Sequence, residues 1–168
     1  MQFPELNYEF SYNIIELDNR HTIAYREEGT GPQTLLFIHG LASYMPAWNR
    51  NISYLKQYYR CIAIDLPGYG KSSAKDHPGT VAFYTAIIKS FIEKCNLGQV
   101  TLVGHSMGGH LALAVALKYP SLVKNINVHI LTSSIQEADK ERTNRYSFIR
   151  SYINKPLSEN TINEINQV

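Results

Sequence analysis

The stretch that decides the fold is Gln99-Val100-Thr101-Leu102-Val103-Gly104-His105-Ser106-Met107-Gly108-Gly109-His110-Leu111-Ala112-Leu113-Ala114-Val115-Ala116-Leu117. Residues 99–103 have the length and composition of a buried strand, and 107–119 read as an apolar helix stopped by Pro120. The pentapeptide between them fits Gly-x-Ser-x-Gly. A serine on so tight a strand-to-helix turn takes strained dihedrals and lifts its hydroxyl above the sheet. Neighbouring chains approach closely on both sides, so Gly104 and Gly108 are the expected flanking residues. The helix N-terminus beneath Ser106 offers partial positive charge and N–H groups to a developing oxyanion. The competing role for Ser106 is a helix cap on an ordinary turn. Its position between a strand and a helix favours the nucleophile.

Working outward, the same alternation recurs. Residues 34–38 and 60–64 are continuous apolar runs of the sort buried on both faces of a parallel sheet. A helix is expected near Pro46, with Trp48, Ile52 and Leu55 on one face, and another over 78–95, with Val81, Tyr84, Ile88, Phe91 and Ile92 at helical spacing. Residues 11–17 and 21–27 read as a hairpin turning at Asp18-Asn19-Arg20, and 126–131 as a further strand. Strands alternating with helices imply βαβ units and a mainly parallel sheet. At Thr132-Ser133-Ser134 the composition shifts. From Gln136 the chain is polar and expected to be helical, with Phe148, Ile149, Tyr152 and Ile153 as anchors and Thr161-Ile162-Asn163-Glu164 as a capping box.

Two loops bear on the chemistry. The strand at 34–38 runs into His39-Gly40-Leu41, where Gly40 lets the backbone turn so that the Leu41 amide faces Ser106. The amide of Met107, next after the serine, is the second donor of such an oxyanion hole. The other loop, Asp65-Leu66-Pro67-Gly68-Tyr69-Gly70-Lys71-Ser72-Ser73, ends like a phosphate-binding loop. That motif requires glycine five residues before Gly70, where Asp65 stands. Dinucleotide fingerprints fail too, because Ser73 occupies the third glycine position and Gly29-Thr30-Gly31 precedes a strand. Lys71 therefore reads as a solvated charge. His105 and His110 lie five apart rather than four, with no carboxylate between them to complete a metal helix. No metal site and no cofactor is expected.

These three segments, in this order and on these elements, are similar to the α/β-hydrolase fold family over residues from about 11 to 131. The resemblance implies Ser106 as the nucleophile, Leu41 and Met107 as carriers of the oxyanion amides, Gly40, Gly104 and Gly108 as loop and elbow glycines, and 65–73 as the loop after the fourth strand. A single glycine after His39 places the chain with the branch that lacks a His-Gly-Gly-Gly loop. A serine sets it apart from the dehalogenase and epoxide-hydrolase branches, which use aspartate. The polar helices after Gln136 resemble the start of a lid. The expected fold is thus α/β: an α/β-hydrolase-like, mainly parallel sheet with helices on both faces, the C-terminal strands absent, ending in partial lid helices. The expected division is 1–134 for the core and 135–168 for the lid.

A serine hydroxyl needs a base, and the base an orienting acid. In this family they follow the serine in chain order. None of the six histidines fits. His21 and His77 lie upstream, His39 belongs to the oxyanion loop where it orders backbone, His105 adjoins the serine, His110 packs on the helix, and His129 sits inside a strand. Asp139 and Glu141 read as solvated. The expected activity is acyl ester hydrolysis through an acyl-enzyme by a carboxylesterase- or lipase-like enzyme, with the chain as it stands nearly inactive and representing part of a longer fold. The alternative is a non-catalytic ligand-binding protein of the same fold.

Composition narrows the partners. At 168 residues, 44% hydrophobic and 18% charged, the chain is one foldable domain rather than a disordered one. A net charge of +2 without a basic stripe argues against nucleic acid, and no apolar run reaches membrane-span length. Cys61 and Cys95 are too few for a disulfide framework, and no secretory signal is recognised at 1–6, so cytoplasm is the expected location. Expected partners are a small acyl ester and, through an exposed sheet edge, other copies of the chain.

Overall fold

The computed structural model describes residues 7–17, 21–74 and 76–124, together with the backbone of 128–132 and 149–154. The chain divides into two compact units, Met1–Lys124 and Asn125–Val168.

In the first unit a five-stranded sheet has the order β1-β2-β4-β3-β5. Its strands are β1 Asn13–Glu16, β2 Thr22–Glu28, β3 Thr34–Ile38, β4 Arg60–Ile64 and β5 Thr101–Gly104. The expected hairpin is β1 and β2, paired antiparallel with Ile14 opposite Ala24; its turn lies outside the described residues. β2 is antiparallel to β4, whereas β3 lies parallel between β4 and β5. The sheet is therefore mixed, with its parallel part formed by the continuous apolar runs. All five residues of β3 are buried, as a strand covered on both faces must be.

Side-chain alternation sorts the core into two layers. Ala24, Leu35, Phe37, Cys61 and Ala63 share a cluster with Met45, Trp48 and Ile52, which belong to the segment after β3. On the opposite face Tyr25 meets Phe91 edge-on, with centroids 5.3 Å apart. Phe91 lies on α2, Val81–Lys94, whose Tyr84, Ile87, Ile88 and Ile92 are also buried. Thr80 caps α2 by accepting the Phe83 amide at 3.2 Å, so the helix begins after Gly79 rather than at Pro78. Val81 is consequently exposed in the first turn. The helix expected at Pro46 opens as a 3-10 turn, Met45–Trp48, and becomes α-helical as α1 over Asn49–Leu55. α3, Met107–Lys118, packs on β3, β5 and α2. Cys61 is buried and Cys95 half-buried, both as free thiols.

In the second unit β6, Val128–Thr132, pairs in parallel with β7, Ile149–Asn154. The strand expected at 126–131 is thus present as β6, with the unit boundary before it rather than after it. β7 corrects the helical reading of 136–168 over its own span. Ile149, Tyr152 and Ile153 fall at the helical spacing i, i+3, i+4, but in so short a run their β-branched and aromatic character favours the strand. The remaining lid helices and the capping box lie outside the described residues.

Candidate active site

Ile38 at the end of β3 stands level with Ile64 of β4 and Gly104 of β5. The loops that follow these three parallel strands therefore leave the same edge of the sheet. They carry His39 to Met45, Asp65 to Ser73, and Ser106. Open α/β sheets bind ligands at such an edge.

Ser106 has φ 53° and ψ −119°, a backbone conformation that costs a non-glycine residue about 1–3 kcal/mol. Hydrogen bonds on both sides hold it there. The His105 amide donates to the Ile38 carbonyl at 3.2 Å, tying the turn to β3. The Ser106 carbonyl accepts the amides of Gly109 at 2.9 Å and His110 at 3.2 Å, and the His105 carbonyl accepts that of Gly108 at 2.9 Å. The Met107 amide has no backbone acceptor among the described residues, as the first N–H of a helix has none within it. The Ser106 side chain is exposed and makes no capping hydrogen bond.

The flanking glycines are needed for space. A Cβ on Gly104 would overlap the backbone of Gly108, and one on Gly108 would overlap the carbonyls of Ile38 and His39. Gly40 is likewise a matter of room, since a Cβ there would lie 3.0 Å from His105 Nδ1 and 3.3 Å from Ser106 Cβ. The loop after β3 thus lies directly against the serine turn. Leu41 follows, 70% exposed, and Ala42 has φ 54°.

His39 orders this loop. It is completely buried; its Nδ1 pairs with the Gly40 carbonyl at 2.8 Å, and its Nε2 accepts the Leu66 amide at 3.0 Å. Accepting at Nε2 requires the neutral ring with its proton on Nδ1. Burial holds its pKa below the ordinary histidine value, opposed by the Gly40 carbonyl and by Asp65. The Tyr69 ring meets it edge-on at 4.9 Å. Asp65, also completely buried, accepts the Met45 amide at 2.7 Å, the Lys71 amide at 2.8 Å and the Tyr8 hydroxyl at 2.6 Å. Sequence reading missed Asp65 as a structural acceptor. The available signal was a carboxylate directly following a buried parallel strand. Lys71 is exposed, as expected, with its ammonium 5.2 Å from the Tyr8 ring centre.

No histidine or carboxylate bonds Ser106 among the described residues. His21 approaches Ser73 Oγ at 3.2 Å, and His77 stacks on Phe83 beside Tyr84. Burial and the neighbouring Tyr69 push the Tyr84 hydroxyl up to about 12; that hydroxyl donates to the Pro67 carbonyl. His110 is exposed on α3, which corrects its reading as a packing residue: the apolar contacts of α3 are made by Leu111, Val115 and Ala116. The side chain of His129 lies outside the described residues. Among those described, no group of histidine, cysteine and carboxylate side chains is arranged to hold a metal, and no helix is long and apolar enough to cross a membrane.

A sequence family described as alpha/beta hydrolase fold matches residues 33–156. The chain belongs to the α/β-hydrolase fold family. Among this family's curated members, the (E)-2-((N-methylformamido)methylene)succinate hydrolase of Acinetobacter baylyi is 35% identical over 114 residues, covering 68% of this chain and 43% of that enzyme. Among solved α/β-hydrolases, the epoxide hydrolase VrEH1 from Vigna radiata superposes with TM-score 0.66 at 26% identity, over 75% of this chain and 41% of its own. A membrane phospholipase A superposes with TM-score 0.67 at 30% identity, over 79% and 45% respectively. The chain spans less than half the length of each of these relatives.

Proposed function

We propose that this chain carries the nucleophile and oxyanion half of a serine-dependent acyl ester hydrolase. Ser106 Oγ attacks the ester carbonyl carbon as its proton passes to a base. The amides of Leu41 and Met107 receive the oxyanion, the alcohol leaves with a proton, and water releases the acid from the acyl-serine. The observation that carries the reading is the conformation of Ser106: a serine held at φ 53°, exposed at the mouth of the turn, whose hydroxyl does not cap the helix it precedes. A capping serine has extended dihedrals and uses its oxygen. Strain of this kind persists where the surroundings enforce it, and such positions cluster at active sites. The relative that is a phospholipase supports an ester substrate, and the serine favours this branch over that of the epoxide hydrolase neighbour. The base and acid have no candidate among the described residues.

The test supplies an external base. The chain is incubated with p-nitrophenyl acetate and increasing imidazole, with Ser106→Ala as the reference. The expected result is an acetyl group on Ser106, found by peptide mass spectrometry, and a Ser106-dependent share of p-nitrophenol release that rises with imidazole. Identical rates in the two proteins at every imidazole concentration, with no acetyl on Ser106, would overturn the reading.

A further inference from the structure

The carboxylate of Asp65 is completely buried, and among the described residues no cation pairs with it. Its charge is balanced by three donors from three parts of the chain: the Met45 amide at the end of the oxyanion loop, the Lys71 amide of its own loop, and the Tyr8 hydroxyl. Tyr8 is the only side chain of the three, and it comes from the segment that precedes β1. Its ring stacks on Tyr44 at 5.8 Å with the planes 10° apart, so the same residue also covers the oxyanion loop directly. The site is closely fitted, since Gly70, at φ 53°, has no room for a Cβ beside Asp65 and the Tyr8 hydroxyl. The loop bearing Leu41 is thereby held at both ends. His39 grips its start through the Gly40 carbonyl, and Asp65 grips its end through the Met45 amide.

Resting on the reading of Ser106 and Leu41 given above, we propose that Tyr8 is a positioning residue for the oxyanion loop. It acts through Asp65, so that the segment before the first strand sets the aim of the Leu41 amide. The physical reason is that a buried carboxylate losing one of its three donors is less well satisfied and less firmly held, so it shifts toward water and loosens its bond to the Met45 amide. The Met45 amide is the donor attached to the loop that must keep its place. An oxyanion donor displaced by a fraction of an ångström loses much of its effect on the transition state and little on ground-state binding.

Tyr8→Phe removes the hydroxyl and keeps the stack on Tyr44. Amide exchange by NMR, and the imidazole-assisted acetylation of Ser106, are compared with the unaltered chain. The expected result is exchange at Met45 faster by roughly tenfold, the size of one net hydrogen bond, with Phe37 and Ile62 unchanged. Acetylation at saturating ester should fall severalfold at an unchanged half-saturating concentration. Unchanged exchange at Met45 would overturn the proposal. So would acceleration at Phe37 and Ile62 in step with Met45, since that marks a general loss of stability. An exchange shift at Met45 in a protein whose Ser106 never acetylates, even unaltered, would instead sink the nucleophile reading and the catalytic purpose of the hub with it.

Discussion

His39 Nε2 accepts the amide of Leu66 at 3.0 Å, joining the loop after β3 to the loop after β4 through one buried, neutral imidazole. The other nitrogen of the same ring holds the Gly40 carbonyl. Protonation at Nε2 removes the acceptor and leaves the Leu66 N–H facing a second donor.

This gives a pH dependence with a definite sign. The folded pKa of His39 lies below its ordinary value of 6.5. The unfolded chain therefore binds more protons in the window just below that value, and stability falls as the pH falls through it. The contribution is present in full above about 6.5 and is lost by the time His39 protonates in the fold. In His39→Gln an amide oxygen can accept from Leu66 without titrating. Denaturant midpoints of the two proteins should converge as the pH is lowered through this window. Parallel pH profiles would show that His39 does not titrate with folding.

Two adjacent glycines of α3 should respond in opposite ways. Gly108→Val places a branched side chain against the carbonyls of Ile38 and His39, which are backbone and cannot yield. A loss of roughly 2–4 kcal/mol is expected, seen as a fall in melting temperature. Gly109→Ala meets only ordinary contacts, the nearest at 3.5 Å from Gly104, in a helical position. It should gain about 0.5–1 kcal/mol from helix propensity. Equal effects at the two sites would contradict the close approach of α3 to β3.

Ser106→Gly should raise the melting temperature, because glycine holds φ 53° without strain. The net gain is about 1 kcal/mol after the greater entropy of the unfolded glycine is subtracted. Ser106→Ala keeps the strain and should melt like the unaltered chain. Calorimetry of the three proteins checks both statements.

Self-association is expected at micromolar concentration. Among the described residues of the first unit, β5 is the last strand of its sheet, paired with β3 on one side and bridged to Val123 only at Val100 on the other. α3 beside it leaves Leu117 59% exposed. An open strand edge next to apolar surface pairs with other chains. Sedimentation velocity should show dimers or larger species, reduced by Leu117→Lys. A single monomer boundary at all concentrations would refute the expectation.

Much of this protein follows from local pattern. The runs at 34–38 and 60–64 are strands over their whole expected span, because a segment buried on both faces is apolar at every position and needs no partner to declare itself. The helices ran a few residues long in the reading, since Thr80 and its hydroxyl, rather than Pro78, cap α2. The i, i+3, i+4 spacing of Ile149, Tyr152 and Ile153 predicts a helix where the chain forms β7, because in six residues strand propensity and pairing with β6 outweigh periodicity. The close-fitting Gly104 and Gly108 and the strained Ser106 were legible because a tight turn between a strand and a helix restricts residue type within five positions.

What the sequence by itself determined is the order of strands and helices from β1 to α3 and the residue on which the serine turn is built. What only the tertiary structure decided is how that turn is held. Gly40 is small because His105 and Ser106, some sixty-five positions later, lie against it. Asp65 draws its donors from Tyr8, Met45 and Lys71, which no periodicity connects. Periodicity records which face of an element is buried. A buried polar group is satisfied by whichever donor the packing of distant loops delivers, and that exists only once the sheet has brought the ends of β3, β4 and β5 to one edge.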